Sequence, residues 1–351
     1  INQNFDIDTL AFTNPGGDYS ITNSGGGGLG RLLTLQSGIN NLNGGDHSID
    51  ARMAFGGAQT WQLDGGNLTI GGFGDDRTIT TNGNTLTLNG TGDVTFYSQF
   101  NGSGGLIQNS SGETLLSYGG SSNGVLSSYT GTTEVNNGSL RLDLGDSPTT
   151  PLTGAITVGG AGNNALLATR FFDQIGDNTS VTVLEGGTFL VDDGTYNVGL
   201  DEILGSLNLS AGSLVTTSAD SSIELNGNVA RDATGNSSGV IDGNLDLGSG
   251  SRTFTVNDSS AADDLVVDAL ISGGGASDLT FTGSGATVLN GANTFSGNLI
   301  LDDGTVRVSA DNNLGDNSNT VEFTGGTLNA TSSFTLDNNR TVDFSTGGRH
   351  D

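Results

Sequence analysis

The chain contains no cysteine, so neither disulfides nor thiolate metal sites hold its fold. It also contains no lysine, and all ten basic residues are arginine, which removes lysine-based catalysis and lysine–asparagine cross-links. The arginines are dispersed, and 38 acidic residues bring the net charge to −28. Nucleic acid and anionic lipid surfaces are therefore excluded as partners, because phosphate binding needs clustered cations. Histidine is nearly absent: a Ser-His-Asp arrangement would have to use His47, since His350 is almost terminal, and no Gly-x-Ser-x-Gly elbow sits between a strand and a helix. His47, beside Asp46 and before Ile49, reads as a polar turn residue. No apolar run approaches the ~20 residues of a spanning helix, so this chain carries no membrane span. Helical periodicity is also scarce; Asn164 to Ile175 is the one stretch where a short helical turn is expected.

What is abundant is glycine, 60 residues against three prolines, together with Asn, Asp, Ser and Thr. Such a composition would indicate disorder if the apolar residues were scattered. They alternate instead: Leu68/Ile70, Leu86/Leu88, Val94/Phe96, Leu140/Leu142, Val181/Val183, Phe189/Val191, Leu207/Leu209, Leu245/Leu247, Leu279/Phe281, Val306/Val308, Val321/Phe323 and Val342/Phe344. Spacing of two marks half-buried strands, and the Gly and Asn/Asp clusters between them supply turns. The chain is all-β.

Two stretches share one pattern. Gly112-Glu-Thr-Leu-Leu116, Tyr129-Thr-Gly131 and Gly138-Ser-Leu-Arg-Leu142 recur as Gly285-Ala-Thr-Val-Leu289, Phe295-Ser-Gly297 and Gly304-Thr-Val-Arg-Val308. In both, the aromatic lies nine positions before the glycine of the closing stretch, Gly138 or Gly304, and Leu-Gly-Asp follows at Leu144 to Asp146 and Leu314 to Asp316. Leu33, Leu35 and Gly38 likewise return 174 positions later as Leu207, Leu209 and Gly212, and Ser48-Ile49 as Ser222-Ile223. The expectation is one continuous β-helix, 1–351, of two diverged super-repeats, about 1–175 and about 176–351, with Gly119 to Ser128 as an inserted loop.

Short strands joined by uneven glycine-rich connections fit a parallel β-helix better than hairpins, because extra loop length costs little where each coil only rejoins the stack. Coils of roughly 20 to 25 residues would stack ~4.8 Å apart with aliphatic columns inside and Thr, Ser and Asn ladders outside. Arg141 and Arg307, at the same repeat position, should point outward to carboxylates on neighbouring coils.

The pattern Gly-x-Thr-Leu-x-Leu, Asn-Thr-Tyr/Phe-x-Gly, Gly-Thr-Leu-x-Val resembles the passenger-associated transport repeat, or autotransporter-associated β-strand repeat, of bacterial autotransporter passengers. Here it reads Gly285-Ala-Thr-Val-Leu289, Gly291-Ala-Asn-Thr-Phe-Ser-Gly297 and Gly304-Thr-Val-Arg-Val308, with a looser copy from Gly105 to Leu142. The resemblance implies a right-handed β-helix at, or released from, the bacterial surface, without catalytic residues. The membrane barrel that follows a true passenger is missing from this sequence, as expected of a fragment or of a protein using another export route.

The chemistry on offer is thin. Adjacent carboxylates in a strand point to opposite faces, so Asp192-Asp193, Asp263-Asp264 and Asp302-Asp303 read as turn residues. Gly71-Gly-Phe-Gly-Asp-Asp-Arg77 overlaps a calcium-binding nonapeptide, making Asp75 and Asp76 the calcium candidates. Trp61 and Tyr97 are the candidates for a glycan or partner platform. The motif residues Gly112, Tyr129, Gly131, Gly138, Gly285, Phe295, Gly297 and Gly304 are structural. The expectation is a non-catalytic, extracellular scaffold, adhesin or filament subunit that touches a host, glycan or matrix surface and stacks end to end; the alternative is a polysaccharide-binding or polysaccharide-degrading β-helix.

Overall fold

The computed structural model describes residues 4–13, 17–22, 31–42, 44–72, 77–117, 128–145, 152–160, 163–191, 201–273, 275 and 277–344. It divides into two compact units, Ile1–Val158 with Asn163–Gly176, and Gly159–Gly162 with Asp177–Asp351. Each unit is a parallel β-solenoid.

In unit 1, one inward column runs Ile21, Ile49, Ile70, Phe96, Leu116, Leu142, each the register partner of the next. In unit 2, a column on one face runs Val181, Leu207, Val229, Phe254, Phe281, Leu301, Phe323. A column on another face runs Phe189, Val215, Ile241, Val267, Leu289, Val308. The alternation forces this: successive side chains point to opposite faces, so one member of each pair is sealed inside while its neighbours meet solvent. Of the twelve spacing-two pairs read from the sequence, eleven are buried throughout; Val342/Phe344 is not, and Phe344 is 45% exposed. Unit 2 also carries a four-stranded third face, Asp201–Leu204, Ser222–Leu225, Asn244–Asp246 and Leu270–Ser272.

Several coils are longer than the expected 20 to 25 residues. Thr114 meets Leu140, 26 positions on, and Leu140 meets Leu167, 27 on. Others are shorter, as between Val288 and Arg307, 19 apart. Connections absorb the difference while the strands keep register. The helical turn expected within Asn164 to Ile175 is replaced by a strand, Ala165–Thr169, because pairing with Gly138–Asp143 satisfies its backbone. The helical element among the described residues is a 3-10 turn at Asp311–Leu314, held by Asn313, whose Oδ1 accepts from the N–H groups of Ser309 and Ala310. Most of the loop expected at Gly119 to Ser128 lies outside the described residues.

The two copies of the repeat fold alike. Glu113–Ser117 pairs with Gly138–Asp143 as Ala286–Leu289 pairs with Thr305–Val308. Gly138 and Gly304 have φ of 62° and 69°, the left-handed region that disfavours side chains. At Gly131 a Cβ would come within 2.1 Å of the Gly104 carbonyl oxygen, and at Gly297 within 2.2 Å of that of Ser277. Tyr129 and Phe295, two positions before Gly131 and Gly297, are both buried, Tyr129 with its hydroxyl 2.5 Å from that of Thr133. Burial pushes the Tyr129 phenol well above its ordinary pKa, the bond to Thr133 offsetting only part. The 174-residue echo is less faithful: Ile49 lies in the strand His47–Asp50 that joins the inward column of unit 1 above, whereas Ile223 lies on the third face of unit 2.

Candidate functional site

Trp61 is wholly buried, with ring centroids 6.3 Å from Phe55 and 5.7 Å from Phe96. It occupies the inward phase of Gln59–Leu63, in register with Leu88, so it is a core residue and offers no platform. Its indole N–H lacks a protein partner. Tyr97 is half-buried beside the inward Phe96. The two are adjacent to the same column, yet no shared binding face unites them. Asp75 and Asp76 lie outside the described residues, as do Asp192, Asp193 and His350. Among the described residues, no group of three His, Asp or Glu side chains converges as a metal site, and no helix is long and apolar enough to cross a membrane.

His47 is a strand residue, not the expected turn residue. It is 2% exposed, its ring centroid lies 4.1 Å from that of Phe12, and its Nδ1 accepts the Tyr19 N–H at 3.1 Å. An imidazole engaged this way ties the strand to the coil that carries Phe12 and Tyr19. Of the carboxylate doublets, Asp302 and Asp303 are both exposed in the turn after the strand Leu299–Leu301, and Asp263 and Asp264 lie in a bend before the strand Leu265–Val267. Asp263 pairs with Arg307, whereas Asp264 is buried and accepts from Ser259 N, Ser259 Oγ and Ala286 N at 2.8, 2.5 and 2.8 Å. Arginines reach one coil back: Arg77 to Asp50 at 2.5 Å, Arg141 to Glu113 at 2.6 Å and Arg340 to Asp311 at 2.8 Å.

The most developed polar site centres on Arg231. The strand Val229–Arg231 puts Val229 inward and Ala230 outward, and so puts Arg231 into the core column between Leu209 and Val256. A buried guanidinium is costly unless every N–H is satisfied. Here Nε donates to the Asp264 carbonyl at 3.0 Å, and Nη2 to those of Thr234 and Ser237 at 3.0 Å each. Nη1 donates to the Asp232 carbonyl and, at 2.8 Å, to its Oδ1. All five donors are used, and the Asp232 to Ser237 loop is folded back onto the guanidinium. Asp232 Oδ1 also accepts from Thr234 N at 2.9 Å, and Oδ2 from Ser210 Oγ at 2.6 Å. Burial draws the Asp232 carboxyl upward, but the hydrogen bonds of Ser210 and Thr234 and the Arg231 charge outweigh it and hold the group below its usual range.

This knot walls one side of a surface notch of about 180 Å³. It is lined by the apolar Leu184, Leu209 and Ala230 together with the polar Thr182, Asn208, Asp232 and Asn257. Ala230 creates the notch, because it is the short rung between Asn208 and Thr255 on an outward ladder of larger polar side chains. The sequence signal was available: Val-Ala-Arg alternates in phase with its neighbours, which places an arginine where a Leu or Val belongs.

A second polar group lies on the third face, where Glu224 and Asp246 are direct register partners. Burial, then the Asp246 charge, raises the Glu224 carboxyl above its usual range, and Arg252 only partly opposes them.

A parallel β-solenoid is the class that the structure defines. Over 63 residues, 18% of the chain, the sequence is 41% identical to the protein named Adhesin BmaC autotransporter of Brucella suis biovar 1 (strain 1330). That match spans about 2% of the relative's length. No family model matches the chain, and no solved structure matches it.

Proposed function

We propose that this chain is a segment of a bacterial surface adhesin or passenger: a non-catalytic, extracellular β-solenoid that presents its outer ladders and loops to a host, glycan or matrix surface. The observation that carries the reading is the consumption of polar chemistry by the coil itself. Arg77, Arg141 and Arg340 are tied to the preceding coil, and the buried Arg231 and Asp264 are saturated by hydrogen bonds, which suits a shaft. The stretch shared with an adhesin autotransporter supports the same reading. Beads coated with the purified chain should adhere saturably to cultured host cells or immobilised matrix; adherence no greater than that of albumin-coated beads contradicts it. End-to-end stacking through open coil edges remains part of the proposal. Sedimentation velocity should show species growing with concentration, against a single monomer at every concentration.

One observation favours a second reading as a polysaccharide-degrading solenoid: the Glu224–Asp246 pair near Arg252, where burial and the Asp246 charge raise the Glu224 carboxyl above its usual range. Release of reducing ends from a polysaccharide by the native chain, lost in Glu224→Gln, would establish it. No release is the outcome the adhesin reading expects.

A further inference from the structure

We propose that the notch beside Arg231 binds one ring of a neutral glycan. The inference rests on the adhesin reading and names the ligand class that such a surface would take. Its volume, about 180 Å³, is below the ~300–1,000 Å³ of drug-sized pockets and suits one pyranose ring plus displaced water.

The chemistry of the walls narrows the occupant. An anion needs a free cationic donor, and every Arg231 N–H is committed to a carbonyl or to Asp232. A cation needs several carboxylates, and Asp232 stands alone in the lining with both its oxygens already accepting. The chain's net charge of −28 further repels uronates and sulfated sugars.

What the notch does offer is apolar lining from Leu184, Leu209 and Ala230 beside the side-chain amides of Asn208 and Asn257. Asn208 Nδ2 donates to Ser180 Oγ at 3.0 Å and Asn257 Nδ2 to the Arg231 carbonyl at 3.2 Å, which leaves the carbonyl oxygens of both amides open to a ligand. The hydroxyl of Thr182 lies on the same ladder as Asn208. A sugar ring has the matching polarity, with C–H groups for Leu184 and Ala230 and vicinal hydroxyls for the amides. Arg231 is a positioning residue: it fixes the loop that forms the wall.

The test is titration of the full chain with maltotriose, lactose, mannotriose and chitotriose, followed by saturation-transfer NMR and calorimetry. Saturable binding of at least one is expected. Ala230→Leu, which fills the notch from the outer face, and Asn208→Ala should each weaken it at least tenfold, while Thr280→Leu, elsewhere on the outer surface, leaves it unchanged. Circular dichroism checks the fold of each variant; should Ala230→Leu misfold, Asn208→Ala decides. Binding of none of the four sugars, or unchanged binding in the folded notch variants, overturns the assignment. Bead adherence that persists without sugar binding would refute the notch and leave the adhesin reading standing; sugar binding without adherence would do the reverse.

Discussion

Arg231 shows how one residue can be out of place by type and in place by bonding. Replacing it with leucine keeps an inward side chain in the column but removes the donors from the carbonyls of Asp264, Thr234 and Ser237. Arg231→Leu should cost at least about 2 kcal/mol in urea denaturation. Gly304→Ala combines a left-handed φ with a Cβ 2.4 Å from the Gly283 carbonyl oxygen, whereas Gly275, with φ 78°, has open space around it. The first substitution should therefore cost about 2 kcal/mol or more and the second about 1 kcal/mol, read from the same denaturation curves. Acid dependence follows from the carboxyls. Burial draws Asp311 upward, but the Arg340 guanidinium and the Asp337 N–H outweigh it, so its folded pKa lies below the unfolded one, as for Asp232. Their contribution is present above the unfolded value near ~4 and is lost as pH falls through the folded value. Glu224, raised, acts oppositely and favours the folded chain as it protonates. The urea midpoint should fall steeply below about pH 4, with a shallower acid limb in Asp311→Asn; an unchanged limb contradicts the assignment.

At the scale of elements, alternation made the strands legible, because a side chain sealed in a coil and its neighbour in water must differ in polarity. Leu86/Leu88, Phe189/Val191 and Leu245/Leu247 are all inward. The duplicated motif was legible because its glycines are needed for backbone reasons, φ at Gly138 and Gly304 and close approach at Gly131 and Gly297. Trp61 and His47 were misread because an isolated aromatic or polar residue carries no period; only the register with Leu88, or the ring stack on Phe12, shows that they are interior. The notch escaped notice because it is made by a small residue, Ala230, between larger ones on coils distant in sequence. Buried amides do similar hidden work at corners. Gln108 Nε2 donates to the carbonyls of Ser110 and Gly112 at 3.0 and 3.1 Å, and its Oε1 accepts from Thr114 at 2.7 Å. Gln108→Leu should strand those groups and destabilise unit 1 by about 1–3 kcal/mol, with the fluorescence of Trp61 as the reporter of unfolding.

For the whole molecule, a net charge of −28 on a chain whose stability is the sum of coil-to-coil contacts makes self-repulsion a constant opposing term. Raising NaCl from about 10 to 100 mM shortens the screening length from ~30 to ~10 Å, so the melting temperature should rise over that interval; a fall would mean that the cross-coil arginine pairs dominate. The central claim is parallel register between coils, and the absence of cysteine makes it directly testable. Thr69 and Thr95 are outward register partners in unit 1, and Thr253 and Thr280 in unit 2. Thr69→Cys/Thr95→Cys and Thr253→Cys/Thr280→Cys should each form an intramolecular disulfide under mild oxidation, detected by mass spectrometry of the digested chain. If neither pair cross-links, and Thr69→Cys couples instead to a cysteine placed as the antiparallel register demands, the solenoid account is wrong.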